Sequence, residues 1–263
     1  MTEPNKTKGS SDGTVGKALE ILDAVAAKSR PVRFGELLAD SPHPKATLYR
    51  FLQTLTNQEM LHYDSDQQTY SLGLRLVRMA HSAWSQSSLS SVAAPILDEL
   101  AAAANETIHL AQMENGQVLF VDKRRASALF ETLAQTGRVA PAHSTGVGKA
   151  ILAFMSPERL ERALKQQAFV KYTQNTHDNV ESLKAEFVQI RAEGLAYDRE
   201  EHEQGIISIA APILLGNGKV VGAVSIASST SRHSPESLQT FREALLDATA
   251  RIGNEATPWQ FPT

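Results

Sequence analysis

The sequence predicts an α+β protein in two parts: an N-terminal winged helix-turn-helix and, beyond a linker helix, a larger domain with a mainly antiparallel sheet flanked by helices. Three observations carry this. The stretch Ser41–Gln58, SPHPKATLYRFLQTLTNQ, holds Lys45 and Arg50 but no acidic residue, and Leu48, Phe51, Leu52 and Leu55 recur in it at helical spacing. A short helical run precedes it and an alternating hairpin pattern comes after it. From Glu106 onward the apolar period becomes two, in paired runs joined by Asn-Gly and Gly-Asn-Gly turns.

A chain of 263 residues with 42% hydrophobic residues can bury one large core or two modest ones. The absence of cysteine excludes a disulfide framework and a thiolate metal site, and fits a reducing compartment. No apolar run is long enough to span a bilayer. The start, MTEPNKTKGSSDGT, is polar and lacks the apolar segment of a signal peptide. The expectation is a cytoplasmic protein with a disordered tail. The net charge of −3 is unhelpful for a nucleic-acid partner, but residues 1–80 hold ten basic against nine acidic residues. The local field of the acid-free stretch matters more for phosphate contacts than the total.

Taken in order, Val15 opens the first helix with Thr14 as its N-cap, and Val15, Ala18, Leu19, Leu22, Val25 and Ala26 form its stripe. Pro31 ends it. Phe34–Ala39 is a short helix, Asp40-Ser-Pro-His a turn, and Pro44 suits the first turn of the next helix, where its missing N–H has no partner to lose. The polar side of that helix carries Lys45, Thr47, Tyr49, Arg50, Gln53 and Thr54, donors suited to phosphates and base edges. Such a helix also suits an ordinary protein surface. Its place between a short helix and a hairpin favours the second helix of a helix-turn-helix, which enters a major groove. Met60–Gly73 alternates as a hairpin, with Asp64 to Gln68 as turn chemistry. Alone it is equally compatible with a surface meander; its position after three helices makes it a two-stranded wing.

Leu74, Leu76, Val77, Ala80 and Trp84 continue as a helix, and SQSSLSS (85–91) reads as a hinge with Ser90 or Ser91 capping a helix from Val92 to Ala104, Pro95 in its first turn. Hairpins over 107–121 and 206–227, a strand over Leu129–Ala134, a helix opening at His143-Ser-Thr, short helices at Pro157 and over Val180–Ala192, a strand over Leu195–Asp198 and a last helix from Ser234 complete the larger domain. The expected segments are a disordered tail over 1–13, the winged helix-turn-helix over 14–73, linker helix and hinge over 74–90, the larger domain over 91–255 and a tail over 256–263.

Gly146-Val-Gly148-Lys149 is not a P-loop: His143 and Ala150 stand where that motif needs glycine and Ser/Thr. What remains is a helix start whose free N–H groups can hold an anion, or two glycines placed for close packing. Ser144 beside His143 is not a triad, there is no G-x-S-x-G elbow, and the eight histidines show no ligand spacing, so no metal and no cofactor are expected. The acidic run Asp198-Arg-Glu-Glu-His-Glu203 reads as a solvated face, or else Asp198 points into a pocket. Ser208 and Ser225 are small hydroxyls in apolar strands, tolerated there or donating to a polar ligand.

In order and spacing, Pro44-Lys-Ala-Thr-Leu-Tyr-Arg-Phe-Leu-Gln-Thr, Tyr70-Ser-Leu-Gly-Leu-Arg-Leu, Glu106-Thr-Ile-His-Leu, His143-Ser-Thr-Gly-Val-Gly-Lys-Ala, Gly205-Ile-Ile-Ser-Ile-Ala-Ala-Pro and Val224-Ser-Ile resemble the IclR-type transcriptional regulators over nearly the whole chain. Tyr49-Arg-Phe-Leu-Gln-Thr, Glu106-Thr-Ile-His-Leu and the ending Trp259-Gln-Phe-Pro resemble the 2-keto-3-deoxygluconate regulon repressors within that family. The resemblance implies a GAF/profilin-like effector-binding domain, operator DNA read by Lys45, Thr47, Tyr49, Arg50 and Gln53, and a small organic acid such as 2-keto-3-deoxygluconate held by Gly146, Val147, Asp198, Ser208 and Ser225. It implies a homodimer through the DNA-binding half, extendable to a homotetramer, and a repressor rather than an enzyme. Ser208 stands where the family commonly has cysteine, and Ala227 where it often has serine. The rival reading is an enzyme acting on a small carboxylic acid through His143, Asp198 or Ser208.

Overall fold

The computed structural model describes residues 13–87, 89–125 and 132–257. The expected tails therefore lie mostly outside the described residues, as does the first half of the strand expected over Leu129–Ala134. The chain divides into two compact units, one ending at Gln86 and the other beginning at Ser87.

In the first unit, α1 (Gly13–Ala27) is followed by β1 (Val32–Arg33), α2 (Phe34–Asp40), α3 (Lys45–Asn57), β2 (Leu61–Asp64), β3 (Thr69–Leu72) and α4 (Leu74–Ser87). The helix-turn-helix is as expected; its surroundings differ in three details. Helix α1 starts at Gly13, so Thr14 lies inside its first turn instead of capping it. Pro44 is the residue before the first turn of α3, where its carbonyl accepts from Leu48 N–H at 3.0 Å. The wing has three antiparallel strands, in the order β1-β3-β2, because Val32 and Arg33 pair with Tyr70 and Thr69. Two residues are too few to show an alternation, so β1 was not legible. Leu48, Phe51, Leu52 and Leu55 bury one side of α3 against Ile21, Leu22 and Val25 of α1, Leu37 of α2 and Leu61 of β2. Burying each such leucine contributes about 1.5–3 kcal/mol, which holds the opposite side of α3 in a fixed attitude.

The second unit contains α5 (Leu89–Ala104), β4 (Thr107–Glu114), β5 (Gln117–Arg125), β6 (Val139–Pro141), α6 (Gly146–Ala153), α7 (Pro157–Lys165), α8 (Val180–Glu193), β7 (Ala196–Arg199), β8 (Ile206–Leu214), β9 (Val220–Ser229) and α9 (Arg242–Ala256). The six strands form one antiparallel sheet in the order β6-β5-β4-β9-β8-β7. The Asn115-Gly116 turn takes φ of 47° and 75°, as a two-residue type I′ hairpin requires. Several expectations are corrected. Helix α5 begins at Leu89, so Ser90 and Ser91 are helical and Pro95 lies in the helix interior. The hydroxyl of Ser90 does not cap; it donates to Asp122 Oδ2 at 2.7 Å, satisfying a buried carboxylate. Thr132 to Ala134 are irregular, and the strand near there is β6 instead. The last helix starts at Arg242, after a 3-10 turn over Ser237–Phe241.

The period-two pattern sorts side chains by size as well as by polarity. Ile207, Ile209, Ala211 and Ile213 of β8 and Val224 and Ile226 of β9 pack in one core with α5 and α9. On the opposite face the same strands present Ser208, Ala210, Ala223, Ser225 and Ala227, toward α6. Small side chains on that face let α6 lie close and leave space at its N-terminal end. Among the described residues, no helix is long and apolar enough to cross a membrane.

Candidate functional site

On α3 the expected polar face is open: Lys45, Tyr49, Arg50, Gln53 and Thr54 are exposed and Thr47 is half-buried. Tyr49 stands edge-on to Phe34, with ring centroids 6.2 Å apart, and is 55% exposed, so it is ordered yet available. Thr54 is less free than the sequence suggests, because its hydroxyl donates to Arg50 O at 2.9 Å. The basic residues divide sharply. Lys28 pairs with Asp40, Arg30 with Glu36 and Arg78 with Glu59, at 2.5–2.8 Å. Lys45 and Arg50 have no carboxylate partner among the described residues, which leaves their charge for a polyanion.

In the second unit, the five residues implied as effector-binding converge. Gly146, Val147, Asp198, Ser208 and Ser225 line one cavity of about 40 Å³. The register explains why: Asp198 on β7 lies opposite Ser208, Ser225 lies opposite Ala210, and α6 starts above them. Thr145 is the N-cap of α6, and its side chain accepts from Gly148 N–H at 3.2 Å. The N–H groups of Gly146 and Val147 have no acceptor within the helix, as in any first turn. The two glycines serve packing. A Cβ on Gly146 would meet Ser208 Oγ at 2.8 Å, and one on Gly148 would meet Ala142 O at 2.3 Å.

Of the two readings of its acidic run, a solvated face or Asp198 pointing into a pocket, Asp198 follows the second: it lines the cavity, is 7% exposed, and its Oδ1 accepts from Glu201 N–H at 2.7 Å. Burial, aided by the Glu201 carboxylate, pushes its pKa up to about 8. It therefore carries a proton at neutral pH and can donate. His109, across from Ser225 on β4, is pushed down to about 3 by burial and by the Lys123 charge, and His202 is lowered by burial. The described lining holds no lysine or arginine. It also includes Ala227, which the resemblance places at the pocket border, and Phe120, Thr132, Ala134, Thr145, Glu203 and Ile206, which were not named from the sequence as ligand-binding. Alternation in β4 was the available signal for His109, since Ile108 and Leu110 face the other core. Glu203 closes the wall, accepting from Leu133 N–H at 3.0 Å.

One turn into α6, Lys149 is fully buried, its Nζ 2.6 Å from Glu201 and 2.8 Å from Glu186. Burial opposes the Glu186 charge, but His177, at 2.7 Å, and Lys149 outweigh it and hold its pKa at about 2. His177, Glu186 and Glu201 could otherwise hold a metal ion; here the ammonium occupies that role. Of the residues of the enzyme reading, Asp198 and Ser208 share the cavity but His143 does not line it. His143 bonds Val170 O at 3.1 Å and stacks near Phe169, while Ser144 Oγ lies 3.4 Å from His202 Nδ1. No carboxylate hydrogen-bonds the His202 ring among the described residues, so no triad is present.

A winged helix-turn-helix joined to a sheet domain with a small cavity carrying a few polar groups defines a class, the ligand-responsive transcriptional regulators. Comparison with known proteins narrows it: residues 14–65 match the IclR helix-turn-helix domain and residues 81–254 the bacterial transcriptional regulator IclR C-terminal domain. The chain belongs to the IclR family. It is 29% identical to the HTH-type transcriptional regulator KdgR of Escherichia coli (strain K12) over 249 residues, covering 95% of this chain and 94% of that one. It is 27% identical to the HTH-type transcriptional regulator XynR of the same organism, covering 89% and 93%. The crystal structure of the Thermotoga maritima IclR superposes with a TM-score of 0.77 at 26% identity, covering 93% of this chain and 98% of that chain. These relatives are regulators, and nothing among them supports the enzyme reading.

Proposed function

We propose that this regulator represses its genes from the cytoplasm, with α3 in the major groove of operator DNA and a small organic acid in the cavity under α6 as its effector. The observation that carries the effector reading is the convergence of two helix-start N–H groups, one buried carboxyl and two serines on one cavity. Lys45 sits on phosphate, and Thr47, Tyr49, Arg50 and Gln53 lie nearer to bases. Gly146 and Val147 N–H receive the carboxylate at the positive end of α6. Ser208 and Ser225 donate to keto or carboxylate oxygens. Asp198, being protonated, donates as well, rather than only accepting from sugar hydroxyls.

The likeness to KdgR favours 2-keto-3-deoxygluconate. The cavity favours something smaller: 40 Å³ is room for about three waters, nearer to a two- or three-carbon acid. A six-carbon acid needs the Glu203–Leu133 tie to part. Exposed Val15 and Leu19 on α1, and Leu74, Val77 and Met79 on α4, supply apolar surface for a homodimer, and the effector halves would extend it to a tetramer. Binding alters DNA affinity only if the dimer's two forms hold the acid unequally. Calorimetry on the full chain with 2-keto-3-deoxygluconate, pyruvate and an aromatic acid is the test. Binding of a keto acid that is lost in Ser225→Val supports the reading. Binding of the aromatic alone contradicts it.

A further inference from the structure

The hairpin of the wing supplies no cation of its own for phosphate. From Leu61 to Leu72 it contains Asp64 and Asp66 and no lysine or arginine. Asp64 Oδ1 accepts from the N–H groups of Asp66 and Gln67 at 2.9 and 3.0 Å, and these bonds hold its pKa below the usual range. The tip therefore stays anionic and repels phosphate. Positive charge on this side comes from Arg33, on the strand that the sequence pattern did not reveal. Arg33 lies opposite Thr69, the first strand residue after the hairpin turn, and is exposed. The neighbouring carboxylate, Glu36, accepts from the backbone N–H of Arg33 at 2.9 Å and pairs with Arg30 at 2.5 Å. The Arg33 guanidinium has no carboxylate partner among the described residues.

Arg33 opens onto a cleft between the wing and the head of α3. The cleft has a volume of about 750 Å³ and is lined by Arg33, Lys45, Phe34, Tyr49, Tyr63 and Gln68 among others, with no carboxylate in the lining. Of the three tyrosines in the lining, the two exposed ones are held: Tyr49 by Phe34, and Tyr63 by the buried Tyr70 with centroids 4.8 Å apart. Two unpaired cations, two ordered phenols and an amide, in a trough beside a polar helix face, match a strand of sugar-phosphate: charge for phosphate oxygens, O–H and N–H donors between them. We infer that this cleft seats the DNA backbone bordering the groove that α3 occupies, with Arg33 and Lys45 on phosphates and Tyr63 donating beside them. This rests on α3 being the DNA-reading helix.

The test is fluorescence anisotropy of the full-length protein with a labelled 30-base-pair duplex of arbitrary sequence, at 50 to 200 mM NaCl. Phosphate contacts are independent of sequence, so no operator is needed. Arg33→Ala is expected to weaken binding severalfold and to lower the slope of log affinity against log salt by about one, as is Lys45→Ala. Arg33→Lys keeps the charge and is expected to keep the slope, which separates charge from packing. Asp66→Asn at the tip is expected to leave the slope unchanged. If Arg33→Ala matches wild type while Lys45→Ala and Arg50→Ala lose affinity, or if the tip variant moves the slope and Arg33→Ala does not, the inference is overturned and α3 keeps its role. If all these variants bind as wild type, the reading of α3 fails first, and the inference with it.

Discussion

The outer face of α3 and the cavity under α6 both present hydrogen-bond donors, but only the first presents the positive charge of lysine and arginine. Lys45 and Arg50 lie in solvent without carboxylate partners among the described residues. The cavity's described lining has no basic residue other than histidine, burial depresses the pKa of both its histidines, and Asp198 is held as a neutral acid. The difference comes from where each sits. In water a cation costs little and its field is screened beyond about 8–10 Å, so an exposed face can recruit a polyanion by charge alone. Inside a domain an unpaired cation is expensive; the buried ammonium nearby, Lys149, is neutralised by two carboxylates. A cavity built this way can take an anion only through dipoles and neutral donors.

The strongest way to break the comparison is to remove that neutralised charge. Lys149→Met leaves the buried Glu201 without its ammonium and Glu186 with only His177 and Arg199, and is expected to cost about 3–5 kcal/mol, seen as a lower urea midpoint for the second unit. A variant as stable as wild type would mean that the ammonium is not what holds the wall of the cavity. On the outer face, Arg50→Ala is expected to cost roughly 1–3 kcal/mol of operator affinity and to relax specificity at one base pair. A gel-shift titration against single-base operator variants measures both, and an unchanged pattern would separate Arg50 from base reading. The operator itself should be an inverted repeat with half-sites about one helical turn, or a multiple, apart, which footprinting checks.

A smaller effect isolates Asp198. Its folded pKa, about 8, lies above the ordinary 3.8, so the folded state binds more protons than the unfolded one between those values. Stability from this group is therefore present at low pH and lost as pH rises toward 8. Asp198→Asn, which mimics the protonated form, should melt progressively higher than wild type from pH 5 to 8, by a few degrees, with the gap constant above that. His109 and His202 contribute the opposite slope at acid pH in both proteins, so the difference between the two melts belongs to Asp198. A gap independent of pH would show the carboxyl to be ionised.

Much of this was legible because the periods are strong. The stripe of α3, the Asn115-Gly116 hairpin and the run Ile206–Leu214 declare themselves, and the alternation in β8 already separates isoleucines from Ser208 and Ala210. What was hidden depends on partners distant in sequence. Val32 and Arg33 become a strand only by pairing with Tyr70 and Thr69. Ser90 looks like a cap until Asp122 takes its hydroxyl. Lys149 looks like a fragment of a phosphate loop until Glu201 and Glu186 close on it. Asp198 and Glu201 sit in a run that reads as solvated, and only the fold buries them.

The measurement that bears most directly on the contrast is the salt dependence of both equilibria in the full-length protein. Affinity for duplex DNA and for a keto acid, 2-keto-3-deoxygluconate or pyruvate, would be followed from 50 to 200 mM NaCl. DNA affinity is expected to fall by orders of magnitude, with a log–log slope of several. Acid affinity is expected to change by less than about twofold, since no lysine or arginine lines the cavity to meet the ligand. A steep salt dependence for the acid, or a flat one for DNA, would contradict the contrast.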